Sequence, residues 1–124
     1  MRKIISVMVL ILLLVSCGSK EIAIGEIKDI YQKIHVLSDE LGETTFVTKD
    51  SEYIVIKDKA KEILEEIEKN SMDSKAKELM IESCNSIIDN CRIQIDKGWE
   101  ESSKTYENVS DNVEKLEEYI KELN

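Results

Sequence analysis

Three cysteines, Cys17, Cys84 and Cys91, are the residues of this chain best suited to chemistry. Cys84 and Cys91 are seven residues apart, a spacing that separates their Cα atoms by about 10.5 Å along a continuous helix. Because a disulfide needs Cα atoms within roughly 7 Å, we predict two free thiols packed in the core. The alternative is a disulfide, which requires the helix to break between them. We expect no zinc site, because no histidine or further cysteine lies near the pair and a structural site needs four ligands.

His35 is the single histidine, and it lies at the edge of the apolar face of the first predicted helix. No serine or cysteine motif accompanies it, so we interpret it as a surface or boundary residue rather than a general base. The carboxylates are numerous, but they fall on polar helix faces without the isolation that raises a catalytic pKa. From these residues we predict that the chain is not an enzyme and that it binds no cofactor and no metal.

The N-terminus carries the pattern of an export signal. Arg2 and Lys3 precede an apolar run from Ile4 to Val15 that is short for a membrane-spanning helix. The run ends in Leu14-Val15-Ser16-Cys17, which resembles the lipobox of bacterial lipoproteins. The resemblance implies cleavage before Cys17 and acylation of its sulfur with fatty chains such as palmitate. It divides the chain into a signal peptide (1–16), the lipidated Cys17 with a short linker (17–20) and a helical domain (21–124).

The resemblance also predicts a location, lipid-anchored and extracytoplasmic on the cell membrane or the outer membrane. The formal net charge is −9, and loss of Arg2 and Lys3 with the leader makes the mature chain more acidic still. Such a surface repels phosphate backbones and anionic head groups. We therefore expect that the chain binds no nucleic acid and that it does not adhere to anionic lipid through a basic patch. The acyl chains are then the membrane contact.

Composition and periodicity predict an all-α domain. The chain has no proline and four glycines, and its apolar residues recur at steps of three and four, the pattern of amphipathic helices. Gly42 is placed to end the first helix. The apolar face of that helix consists of Ala23, Ile27, Ile30, Ile34, Leu37 and Leu41, widened by Ile24 and Tyr31.

The segment 44–56 admits two interpretations. Its β-branched and aromatic residues fit a hairpin whose loop is 49–52. A three-four spacing instead favours a helix from this segment onward, capped by Asp50 or Ser51. We prefer the helix, since an isolated two-stranded hairpin is marginal in water, and we expect a turn with capping residues at 70–73. The residues that keep the helical spacing are Tyr53, Ile56, Ala60, Ile63 and Ile67.

From Ile81 to Leu123 the three-four alternation continues, and Gly98 lies within it. A glycine costs about 1 kcal/mol in a helix interior. Two architectures are compatible with this pattern, an up-down four-helix bundle broken near Gly98 or three elements ending in one helix of about 50 residues. Both are small helical bundles of three to four helices.

One face of the C-terminal segment carries Trp99, Tyr106, Val113 and Ile120. We expect these residues to form either the core or an interaction face, such as a coiled-coil seam for a protein partner or a second copy. The predicted function is a non-catalytic interaction or structural lipoprotein. The alternative is a lipoprotein similar to the immunity and entry-exclusion lipoproteins, which neutralise a toxin, phage or plasmid factor.

Overall fold

The computed structural model describes residues 24–70 and 72–123, so the predictions for the signal peptide, Cys17 and Ala23 lie outside the described residues. Within these ranges the chain forms four helices and no strand: α1 over 24–42, α2 over Asp50–Lys69, α3 over Ser74–Lys97 and α4 over Trp99–Glu122. The all-α prediction is confirmed. None of the helices in the described ranges has the length and apolarity needed to cross a membrane.

Consecutive helices run antiparallel, and the last returns to the first. Side-chain contacts join the middle of α1 to the end of α2 and the end of α1 to the middle of α2. They also join the first half of α4 to the last turns of α1 and α3, and the end of α4 to the start of α3. The arrangement is therefore an up-down-up-down four-helix bundle. The contacts join Lys33 to Glu66, Lys59 to Glu40, Asn90 to Ser102, Tyr119 to Asp73 and Tyr106 to Ser38.

One apolar core lies between the helices. Every described member of the three-four sets of α1 and α2 is buried, and α1 buries Tyr31 and Ser38 as well. The register of both helices is therefore confirmed, and the hairpin alternative for 44–56 is wrong. Each large side chain in this core contributes roughly 1.5–3 kcal/mol by leaving water. The largest fully buried apolar side chains are Ile27, Ile30, Ile34, Tyr53, Ile67, Met80, Ile87, Val109 and Leu116.

The start of α2 differs from its prediction. Lys49 occupies the N-cap position and its side chain makes no capping bond, so the prediction that Asp50 or Ser51 caps the helix is wrong. Asp50 lies inside the first turn instead, where the helix dipole favours a carboxylate. The preceding loop closes on itself: the Thr45 N–H donates to Thr48 Oγ1 at 2.9 Å, and the Thr48 N–H donates to the Thr45 carbonyl at 3.0 Å.

Gly98 decides between the two architectures of the C-terminal half. Its φ of +93° lies in the left-handed region that glycine adopts without a steric penalty. The Gly98 N–H donates to the carbonyl of Gln94 at 2.9 Å to close α3, and the Gly98 carbonyl accepts the Ser102 N–H at 3.1 Å to open α4. The break is therefore real, and the single long helix is wrong.

A buried polar network holds α3 against α4 beside this break. Asn90 Nδ2 donates to the Ser102 carbonyl and to Thr105 Oγ1, both at 2.7 Å. The Ser102 hydroxyl donates to Gln94 Oε1 at 2.5 Å. Because sliding one helix along the other would leave these buried groups without partners, the network favours a single register between the two helices.

Cys84 and Cys91 are free and fully buried on α3, which is continuous across both. The prediction of two free thiols is confirmed. Burial raises the pKa of the Cys84 thiol to about 12 and that of Cys91 to about 11. Both thiols therefore stay protonated at neutral pH, and a protonated thiol is a poor nucleophile.

Gly42 lies at the end of α1, as the sequence predicts, but close packing explains it better than backbone conformation. A Cβ at this position would collide with the Tyr106 hydroxyl and lie 3.1 Å from Tyr106 Cζ. That hydroxyl donates to the Ser38 carbonyl at 3.2 Å. The missing side chain therefore lets α4 approach α1.

Gly42→Ala should destabilise the bundle by about 1 kcal/mol, because the clash outweighs the gain in helix propensity. In a Tyr106→Phe background the obstructing oxygen is gone, so the same change should cost less than half as much. Urea denaturation of the four chains of this cycle measures both values. An equal cost in the two backgrounds would show that the glycine does not accommodate the hydroxyl.

Asp73 caps α3, as expected for the turn at 70–73. Its Oδ2 accepts the Ala76 N–H at 3.2 Å and also the hydroxyl of Tyr119, which ties the end of α4 to the start of α3. The bond from Tyr119 lowers the pKa of Asp73, and the same bond raises the pKa of Tyr119. The ionised carboxylate and the neutral phenol therefore stabilise the fold together.

Asp73→Ala should lower the free energy of unfolding at pH 7 by about 1 kcal/mol, the usual cost of losing an N-cap. Because the folded-state pKa of Asp73 is lowered, its contribution is complete above the unfolded pKa, near 4, and fades as the pH falls through the folded value. Urea denaturation at pH 7 and pH 2.5 should show a smaller difference between the two chains at low pH. Asp73→Asn, which keeps the capping oxygen, is the control, and an equal deficit of Asp73→Ala at both pH values would contradict the role of the charge.

Candidate functional site

The interaction face predicted on α4 is divided between the interior and the surface. Val113 and Ile120 are buried in the bundle, as the core interpretation requires. Tyr106 is half-buried against α1, and Trp99 is 36% exposed at the start of α4. The structure therefore does not bring the four residues together on one outer face. Cys17, the predicted lipidation site, lies outside the described residues.

His35 occupies the boundary position that the sequence predicts. It is half-buried on α1, and its Nε2 lies 3.3 Å from Asp39 Oδ2 one turn along the helix. The centroid of its ring lies 5.7 Å from the centroid of the Tyr31 ring. Over 24–70 and 72–123 no three histidine, cysteine or carboxylate side chains form a group that could hold a metal ion.

Exposed apolar side chains cluster at the connection between α1 and α2. Phe46 and Val47 are 75% and 72% exposed, and Ile54 and Val55 on the first turns of α2 are about half exposed. A phenylalanine and a valine side by side in water contribute nothing to the core, and apolar patches rimmed by polar residues often mark sites of protein contact.

A groove of about 450 Å³ lies at this connection, between the end of α1 and the start of α2. Val55 and Ile56 form its apolar part, and Glu40, Glu43 and Glu52 line it with carboxylates. Thr44 and Thr48 also line it, and Phe46 and Val47 lie between them in the chain. We call this groove, together with Phe46 and Val47, the tip surface.

Negative charge prevails along the tip surface. Residues 43–52 contain three carboxylates and one lysine. Glu40 lies 3.7 Å from the ammonium of Lys59, whereas Glu43 and Glu52 form no ion pair with any residue that the structure describes. The groove therefore combines apolar contact area with two carboxylates, Glu43 and Glu52, that form no ion pair among the described residues.

Trp99 lies at the same end of the bundle. A cavity of about 120 Å³ is lined by Trp99 of α4, by Gly42 at the end of α1 and by Thr44 just after it, and Asn90 and Tyr106 also face it. The indole is partly covered by this arrangement, so it borders the tip surface rather than forming a separate face. The end of the bundle with the α1–α2 connection is thus the end with the most exposed apolar area described.

Comparison with known proteins assigns no family. No protein-family model matches the chain, and neither curated proteins nor solved structures yield a match.

The sequence patterns did not single out the tip surface, because Phe46 and Val47 also fit the hairpin alternative. One sequence feature could have identified this surface: Phe46 and Val47 are both large apolar residues that belong to none of the sets with three-four spacing.

Phe46→Ser combined with Val47→Ser should change the free energy of unfolding by less than about 0.5 kcal/mol, the usual range for surface substitutions. Ile67→Ala, at a fully buried position of α2, is the matched control and should cost about 2–5 kcal/mol. Urea denaturation followed by far-ultraviolet circular dichroism measures both. A tip variant that loses more than 1 kcal/mol would show that Phe46 and Val47 support the fold.

Proposed function

We propose that this chain is a lipoprotein of the bacterial type, anchored through acylated Cys17, and that its helical bundle binds another protein without catalysing a reaction. The lipobox-like Leu14-Val15-Ser16-Cys17 supports the anchor. The observation that carries the binding role is the tip surface, an exposed apolar and acidic patch at the end of the bundle away from the first described residue.

The first described residue, 24, and the tip surface lie at opposite ends of α1. Six residues lie between Cys17 and residue 24, and even a fully extended chain across these seven residue steps reaches only about 25 Å. The helix from 24 to 42 then spans about 28 Å at 1.5 Å per residue. Acyl chains on Cys17 would keep the start of α1 near the bilayer and leave the tip surface free to meet other proteins.

The side chains with catalytic potential support a non-catalytic role. Cys84 and Cys91 are buried and protonated, and His35 lies beside the Asp39 carboxylate on an open helix face. The acidic surface suits a module that stays off anionic head groups and contacts proteins instead. This combination is typical of a binding domain held at a membrane.

A lipoprotein of the immunity or entry-exclusion kind is the second candidate. It is favoured by the same outward placement, because a surface held away from the bilayer meets a toxin, phage or plasmid factor before that factor reaches the membrane. A gene for such a factor beside the gene for this chain would favour this candidate over a structural role.

Cys17→Ser should abolish incorporation of a fatty-acid analogue into the chain and should leave the precursor uncleaved before residue 17, because the serine offers no sulfur for acylation. Metabolic labelling measures the first effect, and the intact mass of the chain measures the second. Cys84→Ser and Cys91→Ser are matched controls and should keep the label. Undiminished labelling of the Cys17→Ser chain would exclude the anchor.

A chain that carries both Phe46→Ser and Val47→Ser tests the binding role on the same membranes. This variant should remain acylated and folded but lose a co-purifying protein that the parent chain retains. Val36→Ser, at a half-exposed position on α1 that does not line the tip groove, should keep that protein. Equal recovery with all three chains would exclude binding through the tip surface.

A further inference from the structure

We propose that the tip surface docks a cationic amphipathic segment of a partner protein. Apolar side chains of that segment would pack on Phe46, Val47 and Val55, and its lysine or arginine side chains would enter the groove between Glu43 and Glu52. This inference rests on the proposed binding function and adds the chemistry of the partner.

Charge complementarity supports the cationic part of the segment. Glu40, Glu43 and Glu52 line one groove, and only Glu40 has a lysine within ion-pair distance among the described residues. A lysine or arginine from a partner would supply the ion-pair partner that Glu43 and Glu52 lack among the described residues. Opposite charges facing each other also speed the encounter of two proteins and fix their orientation.

The apolar part of the segment follows from the exposure of the loop. Phe46 and Val47 are each more than 70% exposed, and Val55 lines the groove that the same connection borders. Aromatic and aliphatic side chains of this kind supply contact area when a partner covers them. A purely polar cation would leave this area in water, so the structure favours a partner with both chemistries.

Hydrogen bonds within the connection between α1 and α2 support its conformation without a partner. The Thr44 hydroxyl donates to the Leu41 carbonyl at 2.6 Å, and the Thr45 N–H donates to Thr48 Oγ1 at 2.9 Å. These bonds hold both ends of the loop that carries Phe46 and Val47. A surface that is ordered in the free protein loses less conformational entropy on binding.

Two other occupants fit less well. An anionic membrane surface would be repelled by the carboxylates that line the groove. A second copy of this chain, related by a twofold axis, would place the same acidic groove against itself. A cationic segment of a different protein satisfies both the apolar and the charged part of the tip surface.

The experiment places a photoreactive benzophenone maleimide on a cysteine at the groove. Ser51→Cys introduces it at an exposed residue that lines the groove, and Ser110→Cys, on the exposed face of α4, is the matched control. The native Cys84 and Cys91 are buried and protonated, so they should not react, and the parent chain treated with the same reagent corrects for labelling at Cys17. The full chain is irradiated in membranes of the cells that make it.

We expect the Ser51→Cys chain to give a protein adduct whose crosslinked segment, sequenced by mass spectrometry, contains lysine or arginine together with apolar residues. Adding Glu43→Gln and Glu52→Gln should lower the yield about fivefold, as should 0.5 M salt. Glu114→Gln with Glu118→Gln removes the same charge from α4 and should change the yield less than about twofold. Ser110→Cys should give no such adduct.

Each other outcome overturns the inference in a distinguishable way. A protein adduct whose segment is acidic, or whose yield ignores the changes at Glu43 and Glu52, leaves the binding function standing and excludes a cationic partner. An adduct with lipid identifies a membrane contact, and an adduct with the chain itself identifies a second copy. Absence of any adduct at position 51 excludes both the binding function and the inference.

Discussion

Gly98 turns the chain back in a left-handed backbone conformation, and the buried bonds among Asn90, Gln94 and Ser102 hold together the two helices that meet there. Without this reversal, the apolar stripe of the C-terminal half would lie along one helix with too few partners to cover it. With it, α4 returns along α3 and closes the core against α1. The placement of the tip surface at one end of the bundle depends on this closure.

Much of this fold was predictable because the apolar residues of α1 and α2 recur at helical spacing. The buried set from Tyr53 to Ile67 is the set that the spacing identifies, and the separation of Cys84 and Cys91 along one helix predicts their free thiols. These predictions depend on local geometry, which a single sequence contains. The hairpin alternative failed for the same reason, since helical burial of Tyr53 and Ile56 stabilises α2 in a way that an isolated pair of strands cannot match.

Features that depend on contacts between distant residues were not predictable. Gly42 is adjacent to Tyr106 only after α1 and α4 have packed, so its role in close approach is invisible in the sequence, and the buried bond of Asn90 to Ser102 requires the turn at Gly98. The tip surface was missed for a related reason. Exposure of Phe46 and Val47 is a property of the finished bundle, and a short apolar stretch has no spacing that separates surface from core.

The two buried thiols of α3 affect how the chain reaches its fold rather than the folded bundle itself. In the folded bundle, continuous helix keeps Cys84 and Cys91 too far apart to join, while in an unfolded chain nothing keeps them apart. In an oxidising compartment, folding and thiol oxidation therefore compete for the same molecules. A chain that forms α3 first shields both sulfurs, whereas a chain that is oxidised first carries a crosslink that a continuous α3 cannot accommodate.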